Sequence, residues 1–318
     1  MIISLLFLAL GIVLLIKSAD WLVTGSCSLA RRFHMSEIAI GLTLVAFGTS
    51  APELVVNLFA AHKGLNEIVF GNVIGSNIAN ILVVLGIAGL ISPVEVQKDT
   101  VSKEIPFSFG AVLILFMIVN DRHLLRSHEN LLSRWDGALL LLLFALFSLY
   151  VYSMAKVSGG QEAPGEVLGL PVTFVYIVVG LLGLFIGGQL VVDNAVSIAR
   201  KLGVSDKLIA LTIVAIGTSL PELATSAVAA YKKKFDIAVG NIIGSGIFNI
   251  LWILGLSAML RPVVYLSAFN ADIMVLFLAT LLLFVAMFTG KKRKLDRWEA
   301  AIFLMAYVGY VVFLIIRK

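Results

Sequence analysis

Long apolar runs separated by short polar stretches dominate the chain. Ten are long enough to cross a bilayer as helix, at roughly 2–29, 36–61, 67–91, 105–120, 135–155, 170–199, 205–230, 235–259, 268–289 and 298–316. The first and sixth exceed what a perpendicular crossing needs, so they are expected to tilt. The pattern predicts an all-α polytopic membrane protein with ten transmembrane helices. Met1-Ile2-Ile3-Ser4 carries no positive charge and no small-residue cleavage site follows, so the first run reads as a retained span and not a signal peptide.

The runs repeat. Leu42-Thr43-Leu44-Val45-Ala46-Phe47-Gly48-Thr49-Ser50-Ala51-Pro52-Glu53-Leu54 matches Leu211-Thr212-Ile213-Val214-Ala215-Ile216-Gly217-Thr218-Ser219-Leu220-Pro221-Glu222-Leu223 at ten of thirteen positions. Glu222 lies 169 positions after Glu53, and the same offset joins Gly71 to Gly240 and Pro93 to Pro262. Further on, Arg134-Trp135-Asp136 resembles Arg297-Trp298-Glu299 at an offset of 163, after a small gap. The chain therefore divides into a first five-helix repeat at 1–155, a linker at 156–169 and a second five-helix repeat at 170–318. Five crossings per copy force the second to enter from the opposite side, giving two inverted five-helix repeats, a plan common among secondary transporters.

Composition narrows the class. Of 318 residues, 60% are hydrophobic and 14% charged, against about a quarter charged in soluble domains. Mean hydropathy is +1.04. The net charge of +5 sits in loops and reflects topology; nothing suggests nucleic acid. Thirteen basic residues fall on the side opposite the N-terminus and ten on the N-terminal side. That bias favours both termini outside and an inner or plasma membrane location. Lys232–Lys234 and Lys291–Lys294 read as ordinary loop charge. Lys17 is the one basic residue inside a span, and Asp20, three positions on, is its expected partner. Cys27 is the sole cysteine and reads as packing. His34, His62, His123 and His128 all fall in loops with no metal-ligand spacing. The linker, with Gly159, Gly160, Pro164 and Gly165, is too short for a regulatory domain.

The chemistry lies in the duplicated stretches. A carboxylate at bilayer depth costs about 2.5–3.5 kcal/mol and points to function by default. Pro52 has no N–H for the Gly48 carbonyl, so the helix should break and free carbonyls near Ala46, Gly48 and Thr49. Pro221 repeats this near Ala215, Gly217 and Thr218. Thr49 and Ser50 share nearly one face with Glu53, as Thr218 and Ser219 do with Glu222. A second pair of stretches places Asn72, Ser76 and Asn80 on one stripe of an apolar helix, matched by Asn241, Ser245 and Asn249. Gly71 and Gly75 read as small-residue packing positions. Asn77 faces Gly246 in the alignment, so the repeats are not fully symmetric. Asp193 and Asp272 are unmatched and unassigned.

Together these residues form an all-oxygen set without thiolate or imidazole. Such sets suit hard cations, and a flexible cage of carboxylates and carbonyls suits Ca²⁺ better than Mg²⁺. Na⁺ accepts the same oxygens. Either two Na⁺ or one Ca²⁺ neutralises the glutamate pair, and protons should compete for it in acid.

At Gly48-Thr49-Ser50-Ala51-Pro52-Glu53 and Gly71-Asn72-x-x-Gly75-Ser76, each with its second copy, the chain resembles the prokaryotic type of sodium/calcium exchanger, in the cation/calcium antiporter superfamily. The resemblance covers almost the whole chain. It implies Glu53 and Glu222 as central Ca²⁺ ligands, helped by the carbonyls of Thr49 and Thr218. It implies flanking Na⁺ sites using Ala46, Ser76, Ala215 and Ser245, with Ser50, Ser219, Asn80 and Asn249 completing the polar shell. The transported partners would be Ca²⁺ and Na⁺ in the lipid bilayer, without cofactor or protein partner. The implied mechanism is alternating access, the first and sixth spans sliding across a core that holds the ions. Potassium-dependent relatives carry an aspartate where this chain has Asn249, so K⁺ co-transport is not implied.

Other readings compete. The same carboxylates would serve an H⁺/Ca²⁺ antiporter, although protons need no duplicated Thr-Ser hydroxyls. A membrane enzyme lacks a nucleophile–base pair. A passive channel fits an inverted duplication less well than alternating access does.

Overall fold

The computed structural model describes residues 2–120, 130–157, 167–203, 215–290 and 292–317. Helix α1 runs Ile2–Arg32, α2 Glu37–Thr49, α3 Ala51–Lys63, α4 Asn66–Ile91, α5 Thr100–Val119 and α6 Arg134–Val157. In the second half come α7 Leu170–Lys201, α8 Ala215–Gly217, α9 Leu220–Tyr231, α10 Phe235–Leu260, α11 Asn270–Ala286 and α12 Arg297–Ile316. Among the described residues, eight helices are long and apolar enough to cross a membrane. A ninth follows if α2 and α3, bent by 49° at their junction, count as one span. The expected span at 205–230 falls partly on 204–214, outside the described residues. The expected helix at 105–120 starts earlier, at Thr100, because a π-helical turn over Thr100–Glu104 carries it back into the preceding loop.

Local chemistry sets the ends. The Ser36 hydroxyl accepts the Ala39 N–H at 3.3 Å and caps α2. Gly64 adopts φ +73° and closes α3, its N–H reaching the Ala60 and Ala61 carbonyls. Asp296 and Glu299 form a capping box that starts α12.

The layers follow from burial. In α4 and α10, 78% and 89% of the most apolar stretch is buried, against 22–39% in the other spans. These two helices are the interior. α1 and α7 pack against one another and turn apolar side chains such as Leu6, Val13, Phe174 and Phe185 outward. Glycines let their backbones approach: a Cβ on Gly180 would sit 2.9 Å from the Leu22 nitrogen, and one on Gly187 3.1 Å from the Gly11 carbonyl oxygen.

Two short antiparallel strand pairs depart from the purely helical expectation. β1 (Val94–Glu95) pairs with β4 (Lys294–Leu295), and β2 (Leu131–Leu132) with β3 (Val263–Val264). Each joins a strand that follows the third span of one half to a strand that precedes the fifth span of the other. Pro93 and Pro262 end the helices just upstream and leave extended backbone that takes its hydrogen bonds from the opposite half.

Two local expectations are corrected. Asp20 does not pair with Lys17. Its carboxylate lies 2.6 Å from the Lys232 ammonium, which also donates to the Thr24 hydroxyl at 2.8 Å. Lys17 is exposed on the outer face of α1, so tertiary approach of the loop after α9 overrides the local spacing. Lys234 likewise bridges Glu37 at 2.8 Å, so these two lysines hold α1 and α2 to the second half. Asp272 is paired with Arg317 at 2.7 Å and accepts from the Tyr310 hydroxyl, tying α11 to α12.

Candidate cation site between the broken helices

The two duplicated breaks share their backbone conformation at the serine. Ser50 has φ −83° and ψ 6°, and Ser219 has φ −84° and ψ 6°. Pro52 and Pro221 lie in the first turns of α3 and α9, where a missing N–H is tolerated. One expected free carbonyl is engaged: Ala46 O accepts the Ser50 N–H at 3.1 Å and the Thr49 hydroxyl at 3.4 Å. The Ala215 side chain lies outside the described residues.

The breaks start α3 and α9 deep in the protein, and their first turns carry Glu53 and Glu222. Both glutamates are wholly buried and within electrostatic reach of one another. Among the described residues, no lysine or arginine forms a salt bridge to either. Nor does any group of three or more His, Cys, Asp or Glu side chains converge there. Hydroxyls and amides complete the surroundings. Ser50 donates to Glu222 Oε1 at 2.9 Å and Ser245 to the same oxygen at 3.5 Å, while Ser76 reaches Glu53 Oε1 at 3.5 Å. Ser76 and Thr218 hydroxyls also meet at 3.5 Å. Oε2 of each glutamate is buried without a hydrogen-bond partner among the described residues. Two uncompensated buried carboxylate oxygens are costly, and a bound cation is the direct way to satisfy them.

Beneath each glutamate sits a matched pedestal, whose Asn57 and Ser226 the sequence reading did not single out. Asn72 donates to Glu53 O at 3.4 Å and to Asn57 Oδ1 at 2.7 Å, and Asn57 donates to Val69 O at 3.1 Å. In the other half Asn241 donates to Glu222 O at 3.4 Å and to the Ser226 hydroxyl at 3.0 Å, and Ser226 reaches Ala238 O at 3.5 Å. Asn57 and Ser226 each follow their glutamate by four residues at the 169 offset, and that spacing was the available signal. Asn241 also accepts the Thr49 hydroxyl at 3.0 Å, joining the halves.

The predicted residues do not all converge equally. Ser219 Oγ and both amide atoms of Asn80 have no partner among the described residues. Asn249 donates to Asn77 at 3.1 Å. The packing role expected of the glycines is seen for Gly240 and Gly244: a Cβ there would come within 3.0 Å of Gly41 and Leu42 backbone. For Gly71 and Gly75 the positions matching those partners, 210 and 211, lie outside the described residues. Asp193 lines a cavity of about 300 Å³ with Gln189, Pro52, Thr218 and Pro221, running between α7 and the two breaks.

Comparison with known proteins decides the family. The sodium/calcium exchanger protein profile matches residues 3–153 and again 172–316. The chain belongs to the sodium/calcium exchanger family. Over 98% of both chains it is 41% identical to CaxA of Alkalimonas amylolytica. It is 32% identical, again over 98% of each, to the sodium/calcium exchanger MaX1 of Methanosarcina acetivorans. Its fold is that of the sodium–calcium exchanger NCX_Mj soaked with 2.5 mM Na⁺ and 10 mM Sr²⁺, with TM-score 0.82, 32% identity and 98% of each chain covered. A family of membrane ion exchangers, not of enzymes, is thus the frame for the buried glutamates.

Proposed function

We propose that the protein exchanges Na⁺ for Ca²⁺ by alternating access at a midplane site built on Glu53 and Glu222. The observation that carries this reading is the pair of wholly buried glutamates, each with an Oε2 that has no partner among the described residues and a hydroxyl on Oε1. Ca²⁺ takes six to eight oxygens at 2.3–2.6 Å in loose geometry. The glutamates supply the charge, and Thr49, Thr218, Ser50, Ser219, Asn80 and Asn249 supply neutral oxygens. Ala46, Ser76, Ala215 and Ser245 serve Na⁺ on either side. One Ca²⁺ or two Na⁺ cancels the two negative charges, so the ions replace one another without leaving the carboxylates bare.

The duplicated sequence supports ten spans in two inverted repeats, 1–155 and 170–318, joined by 156–169. The cavity beside Asp193 is the route from one face. On the other half's matching helix, the positions aligned with Gln189 and Asp193 are Asp20 and Thr24, which Lys232 bridges. One access route is therefore open, while the aligned position of its counterpart is crossed by this ion pair. We place the protein in the inner or plasma membrane with both termini outside.

The test is Ca²⁺ uptake into proteoliposomes loaded with Na⁺ and diluted into Na⁺-free buffer. Uptake is expected for the wild type and is lost in Glu53→Gln and Glu222→Gln. Absence of Na⁺-driven uptake, or uptake that survives either substitution, overturns the assignment. Uptake driven instead by a pH gradient assigns the same carboxylates to H⁺/Ca²⁺ exchange.

A further inference from the structure

Beside the site the two halves differ at 77 against 246, asparagine against glycine. Asn77 is 2% exposed, and its amide makes two bonds of defined polarity. Its Nδ2 donates to the Gly246 carbonyl oxygen at 3.3 Å, and its Oδ1 accepts Asn249 Nδ2 at 3.1 Å. A backbone carbonyl can only accept, so it fixes which end of the Asn77 amide faces it. The other end of Asn77 is then an acceptor, and Asn249 must present its NH₂. Rotating either amide by half a turn would set oxygen against oxygen. Asn249 Oδ1 is consequently turned the other way, where it is wholly buried and has no partner among the described residues. Asn249 follows Ser245 by one turn on the same face of α10, and Ser245 already reaches Glu222 Oε1.

Nothing of the kind acts on Asn80. Its counterpart of Asn77 is Gly246, which has no amide, and neither Asn80 Nδ2 nor Oδ1 is hydrogen-bonded among the described residues. Position 246 faces the Asn77 amide directly. A Cβ at position 246 would lie 3.7 Å from Asn77 Oδ1 and 4.0 Å from Ser108 Oγ, so any longer side chain would enter the space that the Asn77 amide occupies.

We infer that Asn77 is a positioning residue that turns the Asn249 carbonyl oxygen toward the glutamate pair and holds it there as a neutral ligand for the transported cation. The inference rests on the proposed use of Glu53 and Glu222 as the ion site. It makes the site unequal in its two halves: one amide pre-set as an acceptor, the other free to rotate. Pre-orientation lowers the cost of binding, because the ligand need not be ordered when the ion arrives.

The test uses purified full-length protein in Na⁺-loaded proteoliposomes, with Ca²⁺ uptake measured across Ca²⁺ concentrations. Asn77→Gly should raise the apparent KM for Ca²⁺ about tenfold, the scale of one lost charge-linked hydrogen bond, while the maximal rate stays within about twofold. Asn77→Leu, similar in size but without donor or acceptor, should do the same; it carries the test if the glycine variant does not purify as folded protein. Because the effect runs through Asn249, adding Asn77→Gly to Asn249→Ala should change KM no further. The exchanged variant, Asn77→Gly with Gly246→Asn, moves the amide to the other half, where it can pre-set Asn80, and should restore KM to within about threefold. An active wild type with unchanged KM in both Asn77 variants overturns this inference alone, as do additive effects of Asn77→Gly and Asn249→Ala. Wild-type vesicles that take up no Ca²⁺ overturn the ion-site reading and this inference with it.

Discussion

The Ser50 hydroxyl, at the break in the first half, donates across the molecule to Glu222 Oε1 at 2.9 Å, whereas its counterpart Ser219 has no hydrogen-bond partner among the described residues. Each half therefore does not simply repeat the other at the site. The unequal bond predicts an unequal response. Ser50→Ala should raise the apparent KM for Ca²⁺ about tenfold, because a hydrogen bond to a charged group is worth about 1.5–3 kcal/mol and part is recovered in the bound state. Ser219→Ala should stay within about threefold. Equal effects in a Ca²⁺ titration of uptake would contradict the asymmetry.

The buried Asn241 amide bonds to Glu222 O, Ser226 and Thr49. Asn241→Ala takes one partner from each of these three groups in a wholly buried setting. A loss of about 2–4 kcal/mol is expected, since stranded buried polar groups cost about 1–3 kcal/mol each and partly relax. A fall in the melting temperature in detergent reads this out; an unchanged melting temperature would mean the pedestal is ornamental to stability.

The backbone contact between α1 and α7 makes glycine substitutions discriminating. A Cβ on Gly180 meets the Leu22 nitrogen at 2.9 Å and the Ser18 carbonyl oxygen at 3.0 Å, main-chain atoms that cannot rotate aside. Gly180→Ala should destabilise by about 1–3 kcal/mol. Gly309→Ala, where no described atom lies within 4 Å, should be neutral or stabilising by up to about 1 kcal/mol through helix propensity. Thermal unfolding of the two variants side by side decides the matter.

Access from one face is open to chemical labelling. Asp193 is exposed in the 300 Å³ cavity, while Asp20 is engaged by Lys232. With the buried Cys27 replaced by serine, a cysteine introduced by Asp193→Cys should react with a charged maleimide at least tenfold faster than one introduced at its aligned position by Thr24→Cys, which leaves the Lys232–Asp20 pair in place. Equal rates would mean that the two routes are not distinguished in the resting protein.

Protons should compete with Ca²⁺, because carboxylates must be deprotonated to hold a metal ion. As pH falls from neutral into the carboxylate range, the proton-bound fraction grows and the apparent KM for Ca²⁺ should rise. Saturating Ca²⁺ should recover most of the rate. Uptake whose KM does not move with pH would be inconsistent with a site charged by two glutamates.

Periodicity and duplication carried much of this protein. The apolar runs marked the eight spans, or nine with the bent pair, seen among the described residues, and the 169 offset brings out Glu53 and Glu222 as a pair. The breaks were legible too, because Pro52 and Pro221 act on their own backbone. Less visible were Asn57 and Ser226, which sit at the repeat offset but look like ordinary polar residues until the Asn72 and Asn241 amides are seen to reach them. The Lys17–Asp20 expectation failed for a related reason: spacing along a helix says which side chains can meet, not which neighbour arrives from another element.

What the amino-acid order by itself determined is local and repetitive: where helix forms, where proline interrupts it, and which acids lie in apolar surroundings. Those follow from bonding within a few residues and from the free energy of placing each side chain in a membrane. Only the tertiary structure decided that Ser50 serves Glu222, that Lys232 holds Asp20, that the short strands pair across the halves, and that the Gly246 carbonyl orients Asn77. Each of these is a contact between residues more than a hundred positions apart. Hydrogen-bond polarity and close packing select them only once the two halves are brought together.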